Sequence, residues 1–229
     1  MSPHYLENFV QSVFDALGGI EGRTLVLGGD GRHFGRQASA TILKMAAANG
    51  AAKVVVGRGG LLSTPAASAV IRALKADGGL ILSASHNPGG EDGDFGVKYN
   101  IAAGGPAPES ITNAIHARTE TIEEYRTLDV PDPDLETVGT LTLGGMTVEV
   151  IDPVKIHADL LESLFDFDAI REMIARGFTL RFDAMHAATG PYAVEVLETR
   201  LGAPTGTVMN ATPLPDFGGG HPDPNPAHA

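Results

Sequence analysis

The chain has 229 residues, with 16 Lys and Arg against 28 Asp and Glu, and so a formal net charge of −12. Hydrophobic residues make up 43% and charged residues 19%, enough apolar material for a buried core and too much for general disorder. The acidic balance argues against a nucleic-acid partner, which requires a basic surface. The absence of cysteine excludes disulfides, thiolate nucleophiles and Cys-ligated metal centres. No apolar run approaches the roughly 18 residues of a membrane span, and the opening MSPHYLENFVQSVF lacks a basic leader, so no membrane association is expected and the expected compartment is the cytoplasm.

Tyr5, Phe9, Val13, Phe14 and Leu17 recur at helical spacing before Gly18-Gly19, which predicts a first helix. Thr24–Leu27 reads as a strand ending in Gly28-Gly29-Asp30-Gly31-Arg32, followed by a helix to Asn49-Gly50. The pattern repeats with a strand at Lys53–Arg58, a helix opened by Thr64-Pro65 and running to about Lys75, and a strand at Gly79–Ala84. Near-continuous apolar strands alternating with amphipathic helices imply an α/β fold: a mixed, mainly parallel sheet layered with helices on both faces. A strand at Gly96–Ile101 and a polar helix from about Ser110 to Tyr125 complete a first unit, 1–149, after the Pro- and Asp-rich stretch 129–134. A second unit, 150–229, is expected to open on the strand 147–152. It continues with a helix through Leu160 and Leu164, a strand at Phe178–Asp183, a helix from Gly190 to about Leu201, and a short strand at 207–209. The turn formers from Pro213 to Pro226 read as a loop.

Ser83-Ala84-Ser85-His86-Asn87-Pro88-Gly89-Gly90 stands out chemically. It follows a buried strand, where α/β sheets place their binding loops, and carries a hydroxyl, an imidazole and an amide in succession. Such a loop can aim a serine oxygen at a substrate, or it can be an ordinary strand-to-turn connection. A serine hydrolase does not fit, because the G-x-S-x-G elbow is missing from it and adjacency of Ser and His does not make a triad.

The run from Ser83 to Asn100 resembles the phosphoserine loop of the α-D-phosphohexomutases, and within them of the phosphoglucomutases. Gly28–Arg32, Leu62–Pro65, Gly104–Glu109, Asp183–His186 and Asp216–Asn225 resemble further segments of that family, in the same order. The resemblance implies reversible exchange of glucose 1-phosphate and glucose 6-phosphate through glucose 1,6-bisphosphate, a phosphosugar as the only partner, and a monomer. Ser85 would carry the phosphoryl group and, through its phosphate, ligate Mg2+. Lys98 would act as general acid or base toward the sugar hydroxyl, a role that needs burial or cationic neighbours; a solvated strand lysine is the alternative. His86 would bond a phosphate oxygen or a substrate hydroxyl, or else pack within the loop. Arg32 would bind substrate phosphate, or else be a surface arginine at a helix start paired with Asp30. Arg36 and Arg58 are read as structural, and Asp183, His186, His221 and Asp223 as hydrogen-bonders that shape loops.

The family also carries a Thr-Ser-Gly-Leu-Arg loop upstream of the first helix, an Asp-Gly-Asp-Gly-Asp-Arg loop whose carboxylates bind magnesium, and two later domains. None has a counterpart in this sequence. The second unit is therefore expected to be incomplete and the isolated chain to lack turnover. A non-catalytic module that binds phosphosugars or proteins is the alternative.

Overall fold

The computed structural model describes residues 3–226. The elements in chain order are α1 (Tyr5–Ala16), β1 (Thr24–Gly29), α2 (Gly35–Ala48), β2 (Lys53–Leu61), α3 (Thr64–Leu74), β3 (Gly78–Leu82), β4 (Val97–Ile101), α4 (Glu109–Thr119), β5 (Gly139–Leu143), β6 (Met146–Ile151), α5 (Lys155–Leu164), α6 (Phe167–Ala175), β7 (Phe182–Asp183), α7 (Thr189–Ala193) and β8 (Val208–Met209). The main sheet has six strands in the order β4-β3-β1-β2-β6-β5. β1 runs parallel to β2 and β3, and β2 parallel to β6, whereas β4 on β3 and β5 on β6 are antiparallel. The α/β class expected from the sequence is the one observed.

The strands read as continuous apolar runs because both faces are covered. Leu25 and Leu27, Val54 and Val56, and Leu80 and Leu82 face one way, into a core with Val10, Phe14, Ile42 and Leu43 of α1 and α2. The intervening Val26, Val55 and Ile81 face the other way, against Ala66, Val70 and Ile71 of α3. α3 starts where it does because Ser63 Oγ accepts the Ala66 N–H at 3.3 Å and Pro65 occupies the first turn.

The strand expected to open the second unit belongs to the first sheet. Thr147–Ile151 pairs parallel with Lys53–Gly57, so a boundary at 149 would cut β6, and the first sheet runs to Ile151. Its hairpin partner β5 is reached through Gly144-Gly145, both at positive φ, as a two-residue turn between twisted strands requires.

Beyond β6 the ordered structure is sparser. Of the strand expected at 178–183, Phe182–Asp183 pairs, with Val208–Met209, and Phe178–Arg181 has no ladder partner among the described residues. The helix from Thr189 passes at Val194 into a π-helical turn to Arg200, where Glu195 accepts from Arg200 Nε at 2.9 Å, five residues on, as that wider winding allows. The polar helix expected to reach Tyr125 ends at Thr119. α6 has no counterpart among the expected elements; Asp166 caps it, and Phe167 is its one buried side chain. Tyr192 anchors this part on the first sheet, packing beside Val70 and Ile71 while its hydroxyl oxygen accepts the Ser63 N–H at 3.0 Å. Among the described residues no helix is long and apolar enough to cross a membrane.

Candidate active site

The carboxyl ends of β1, β2 and β3 converge on one edge of the sheet, where the loops Asp30–Phe34, Leu62–Ser63 and Ser83–Gly96 leave it. The approach is close enough to require glycine at Gly29, where a Cβ would collide with the Leu82 carbonyl oxygen. Asp30 N–H in turn donates to that oxygen at 3.0 Å, tying the first loop to the end of β3.

Ser85 sits at the apex of the third loop in the left-handed region, φ 56°, with its N–H bonded to Ser83 Oγ at 3.0 Å. A non-glycine residue there is uncommon and is held by its surroundings. The loop closes on itself through Ser83 N–H to Gly96 O (2.9 Å), Asn87 N–H to Ala84 O (3.2 Å), Asp94 N–H to Pro88 O (3.0 Å) and Asn87 Nδ2 to Asp94 Oδ2 (2.9 Å). The Ser85 hydroxyl is exposed, and Lys98 Nζ donates to it at 2.7 Å. Lys98 is itself exposed, so the burial anticipated for a proton-transferring lysine is missing. Its geometry is that of a charge-assisted donor to the serine oxygen.

Arg32 does something other than expected. It is 2% exposed, and every nitrogen of its guanidinium has a partner. Nε and Nη2 hold the Asp30 carboxylate at 2.9–3.0 Å, Nη2 also donates to Ser85 O at 3.1 Å, and Nη1 donates to Asp94 O at 2.6 Å, with Pro88 O and Asn87 O at 3.4 and 3.5 Å. No donor remains for a substrate phosphate. Arg32 therefore organises the Ser85 loop from beneath; it pairs with Asp30 as the alternative reading has it, but is buried and not the surface arginine of that reading.

His86 is exposed, with Nδ1 3.9 Å from Asp223 Oδ1, and makes no contact with the Ser85 hydroxyl among its hydrogen bonds or ion pairs. Arg36 pairs with Glu136 at 2.8 Å. Asp183 accepts from Met185 N–H and Asn210 Nδ2, both at 2.8 Å, and these bonds hold its carboxyl below the ordinary carboxylate range. His186 Nδ1 lies 2.9 Å from Thr212 O. These two shape the loops that carry the segment 213–223 back over the site. There Pro215 O accepts from His33 N–H (2.8 Å) and Gly90 N–H (3.3 Å), and the Phe217 ring lies 5.3 Å from the Arg32 guanidinium carbon. Sequence reasoning treats Pro215 and Phe217 as loop residues and misses these contacts.

Among the described residues no group of three His, Cys, Asp or Glu is placed to hold a metal ion. The residues present therefore do not fit the Mg2+ site that the resemblance implies. A cavity of about 910 Å³ opens beside β4 and includes Lys98 and Thr64, with α1 and α4 supplying Tyr5, Phe9 and Ile115 to its walls.

The fold is thus a three-layered α/β domain that presents an exposed serine on a left-handed turn, bonded by a lysine, at the carboxyl edge of its sheet. The sequence profile of the phosphoglucomutase/phosphomannomutase α/β/α domain I matches residues 1–126, and the chain belongs to that family. Within it the chain is similar to proteins named phosphoglucomutase. It is 62% identical to that of Rhizobium radiobacter over 226 residues, covering 99% of this chain and 42% of the relative, and 51% identical to that of Schizosaccharomyces pombe over 230 residues, with the same coverage. In structure it is similar to the exocytosis-sensitive phosphoprotein pp63/parafusin, a phosphoglucomutase of Paramecium, with a TM-score of 0.95 and 42% identity, covering 99% of this chain and 43% of that one. The chain thus spans about two fifths of the length of these relatives.

Proposed function

We propose that this chain is the phosphoserine-bearing part of a cytoplasmic phosphoglucomutase that exchanges glucose 1-phosphate and glucose 6-phosphate through glucose 1,6-bisphosphate. The observation that carries the reading is the 2.7 Å hydrogen bond from Lys98 Nζ to an exposed Ser85 Oγ. In the forward step the P–Oγ bond of phosphorylated Ser85 breaks, a bond forms between phosphorus and the sugar hydroxyl oxygen, and the hydroxyl proton is released with Oγ as its final acceptor. Lys98 stabilises the negative charge that gathers on Oγ as the bond breaks. The second step runs the same exchange backwards from the other phosphate of the sugar, restoring the phosphoserine. In this reading His86, next to Ser85 in the chain and exposed, meets a phosphate oxygen or a hydroxyl of the sugar. The reading assigns this chain the phosphoryl-carrying role and routes no step through a metal, whose carboxylates the described residues do not assemble. The cytoplasmic location is supported by a relative from Populus tremula that is named as cytoplasmic, although one from Marchantia polymorpha is named as chloroplastic.

The test is phosphopeptide mass spectrometry after incubation with glucose 1,6-bisphosphate, on the chain and on a chimera that continues it with the remaining sequence of the Rhizobium radiobacter relative. Phosphate is expected on Ser85, and none on that peptide in the S85A variant. An active chimera that never carries phosphate on Ser85, or an S85A chimera of undiminished activity, would overturn the assignment.

A further inference from the structure

We infer that Phe217 is a positioning residue for the Ser85 loop, acting through Arg32 and Gly89. Its importance for chemistry rests on Ser85 being the reacting group.

One guanidinium gathers carbonyls from four points of the loop: Ser85, Asn87, Pro88 and Asp94. A guanidinium is planar, so its orientation decides which carbonyls it reaches. The Asp30 carboxylate holds one edge of the plane, and the Phe217 ring lies against Arg32 with its centroid 5.3 Å from the guanidinium carbon. The carboxylate alone leaves rotation about the shared edge open; the aromatic contact restrains it.

Phe217 also meets the loop directly. A Cβ at Gly89 would lie 2.8 Å from ring carbons Cδ2 and Cε2, and 2.9 Å from Pro215 O. Gly89 does not have a positive φ, so its need for glycine is spatial: the ring occupies the room of its side chain. Pro215 O adds a bond from Gly90 N–H at 3.3 Å.

Phe217 is 4% exposed and lies in the left-handed region, φ 54°. Asp216 Oδ1 accepts the Gly218 N–H at 3.0 Å, and Phe217 N–H donates to Leu214 O at 3.1 Å, so its conformation is imposed locally. Gly218 rests on His186, whose ring would lie 2.8 Å from a Cβ there. The segment 213–218 is thus seated on the second unit and bears on the first unit's reactive loop. A ring that only filled core space would not need to be matched by a glycine on the loop and a guanidinium beneath it.

Hydrogen exchange of the folded chain, resolved by peptide, tests this with F217L, F217A, G89A and the double variant F217A/G89A. F217L and G89A are each expected to speed exchange in peptides covering residues 84–96 about tenfold, with β1, β2 and β3 unchanged. Because F217A removes the ring from the space that the G89A methyl group enters, leaving the Pro215 carbonyl as its remaining close neighbour, the double variant should speed exchange in this loop by less than the two single effects combined. Loop exchange within about twofold of the parent in F217L and G89A, an equal rise throughout the sheet, or additive effects in the double variant would overturn the inference. If F217A does not fold, F217L and G89A decide the matter. Failure of Ser85 to take up phosphate would defeat the proposed function and leave these exchange results standing, so the two failures are distinguishable.

Discussion

Lys98 Nζ donates to Ser85 Oγ at 2.7 Å across 13 residues of chain, and the antiparallel turn-back of β4 on β3 makes this possible by placing Lys98 opposite Ile81. Lys98 stands on β4, while Ser85 lies three residues beyond the end of β3 and is held by the bonds of its loop, its N–H to Ser83 Oγ and its carbonyl to Arg32 Nη2. In the proposed transfer this hydrogen bond reaches the atom on which charge develops as the phosphoryl group leaves.

K98A should therefore slow phosphoryl transfer from Ser85 in the chimera by roughly 10²–10³, the usual cost of removing one donor to a developing oxyanion. Because Lys98 is exposed, unfolding in urea should shift by no more than about 0.5 kcal/mol. Rapid-quench measurement of phosphate lost from Ser85 checks the first expectation. A K98A rate within about twofold of the parent would remove Lys98 from the mechanism.

Arg32 has the opposite profile. Its charge is buried against Asp30, and its remaining donors satisfy loop carbonyls, so R32M strands a carboxylate and several acceptors together. Breaking a buried pair from one side costs about 3–5 kcal/mol; with Asp30 partly exposed, the lower end is expected. Urea unfolding of R32M measures this, and a loss below about 1 kcal/mol would show that the loop holds itself.

The parts of the fold that are legible in the sequence are those whose cause is local. β1, β2 and β3 carry apolar residues on both faces and are punctuated by Gly28-Gly29, Gly50 and Thr64-Pro65, so pattern alone places them. β5 stays hidden because its burial is weak outside Leu143, which leaves the Gly144-Gly145 turn without a recognisable strand on its leading side. α6 has an apolar side but little to bury it against, with Met173 at 36% exposure, so no tertiary signal reinforces the pattern. Ser85 and Lys98 emerge through motif and resemblance. The contact of Phe217 with Gly89 cannot be found that way, because a Pro- and Gly-rich segment has no period and its partner lies far away in the chain. The sequence singles out Arg32, but its task depends on a count of hydrogen bonds that only the folded loop supplies.

Magnesium provides a separate check that needs no activity. The described residues offer Ser85 Oγ but no cluster of three ligating side chains, so millimolar Mg2+ should leave the melting temperature of the unphosphorylated chain unchanged. An ion bound by the native state at a concentration about 100 times its Kd would add about 2.7 kcal/mol and raise the melting temperature by several degrees. A saturable rise, reversed by chelator, would show that this chain assembles a metal site from residues now read as separate.

The last expectation concerns pH. His157, on α5, has its Nδ1 buried without a hydrogen bond, and its ring meets Tyr192 edge-on with centroids 5.7 Å apart. Burial disfavours the imidazolium and holds the His157 pKa below the ordinary 6.5. The unfolded chain therefore takes up its proton at higher pH than the folded chain does. The stabilising contribution of neutral His157 is complete above pH 6.5 and is lost as pH falls from there through the lower folded value. The carboxylates held low, Asp134, Asp159 and Asp183, lose their contributions below their ordinary value of 3.8 and so act in a separate, more acid range. Urea midpoints of the parent should accordingly fall between about pH 7.5 and pH 5.5, and H157F, which keeps an aromatic edge toward Tyr192 and removes the proton site, should flatten that decline. If H157F keeps the full slope, the titration lies elsewhere and the packing of α5 on α7 does not sense protons.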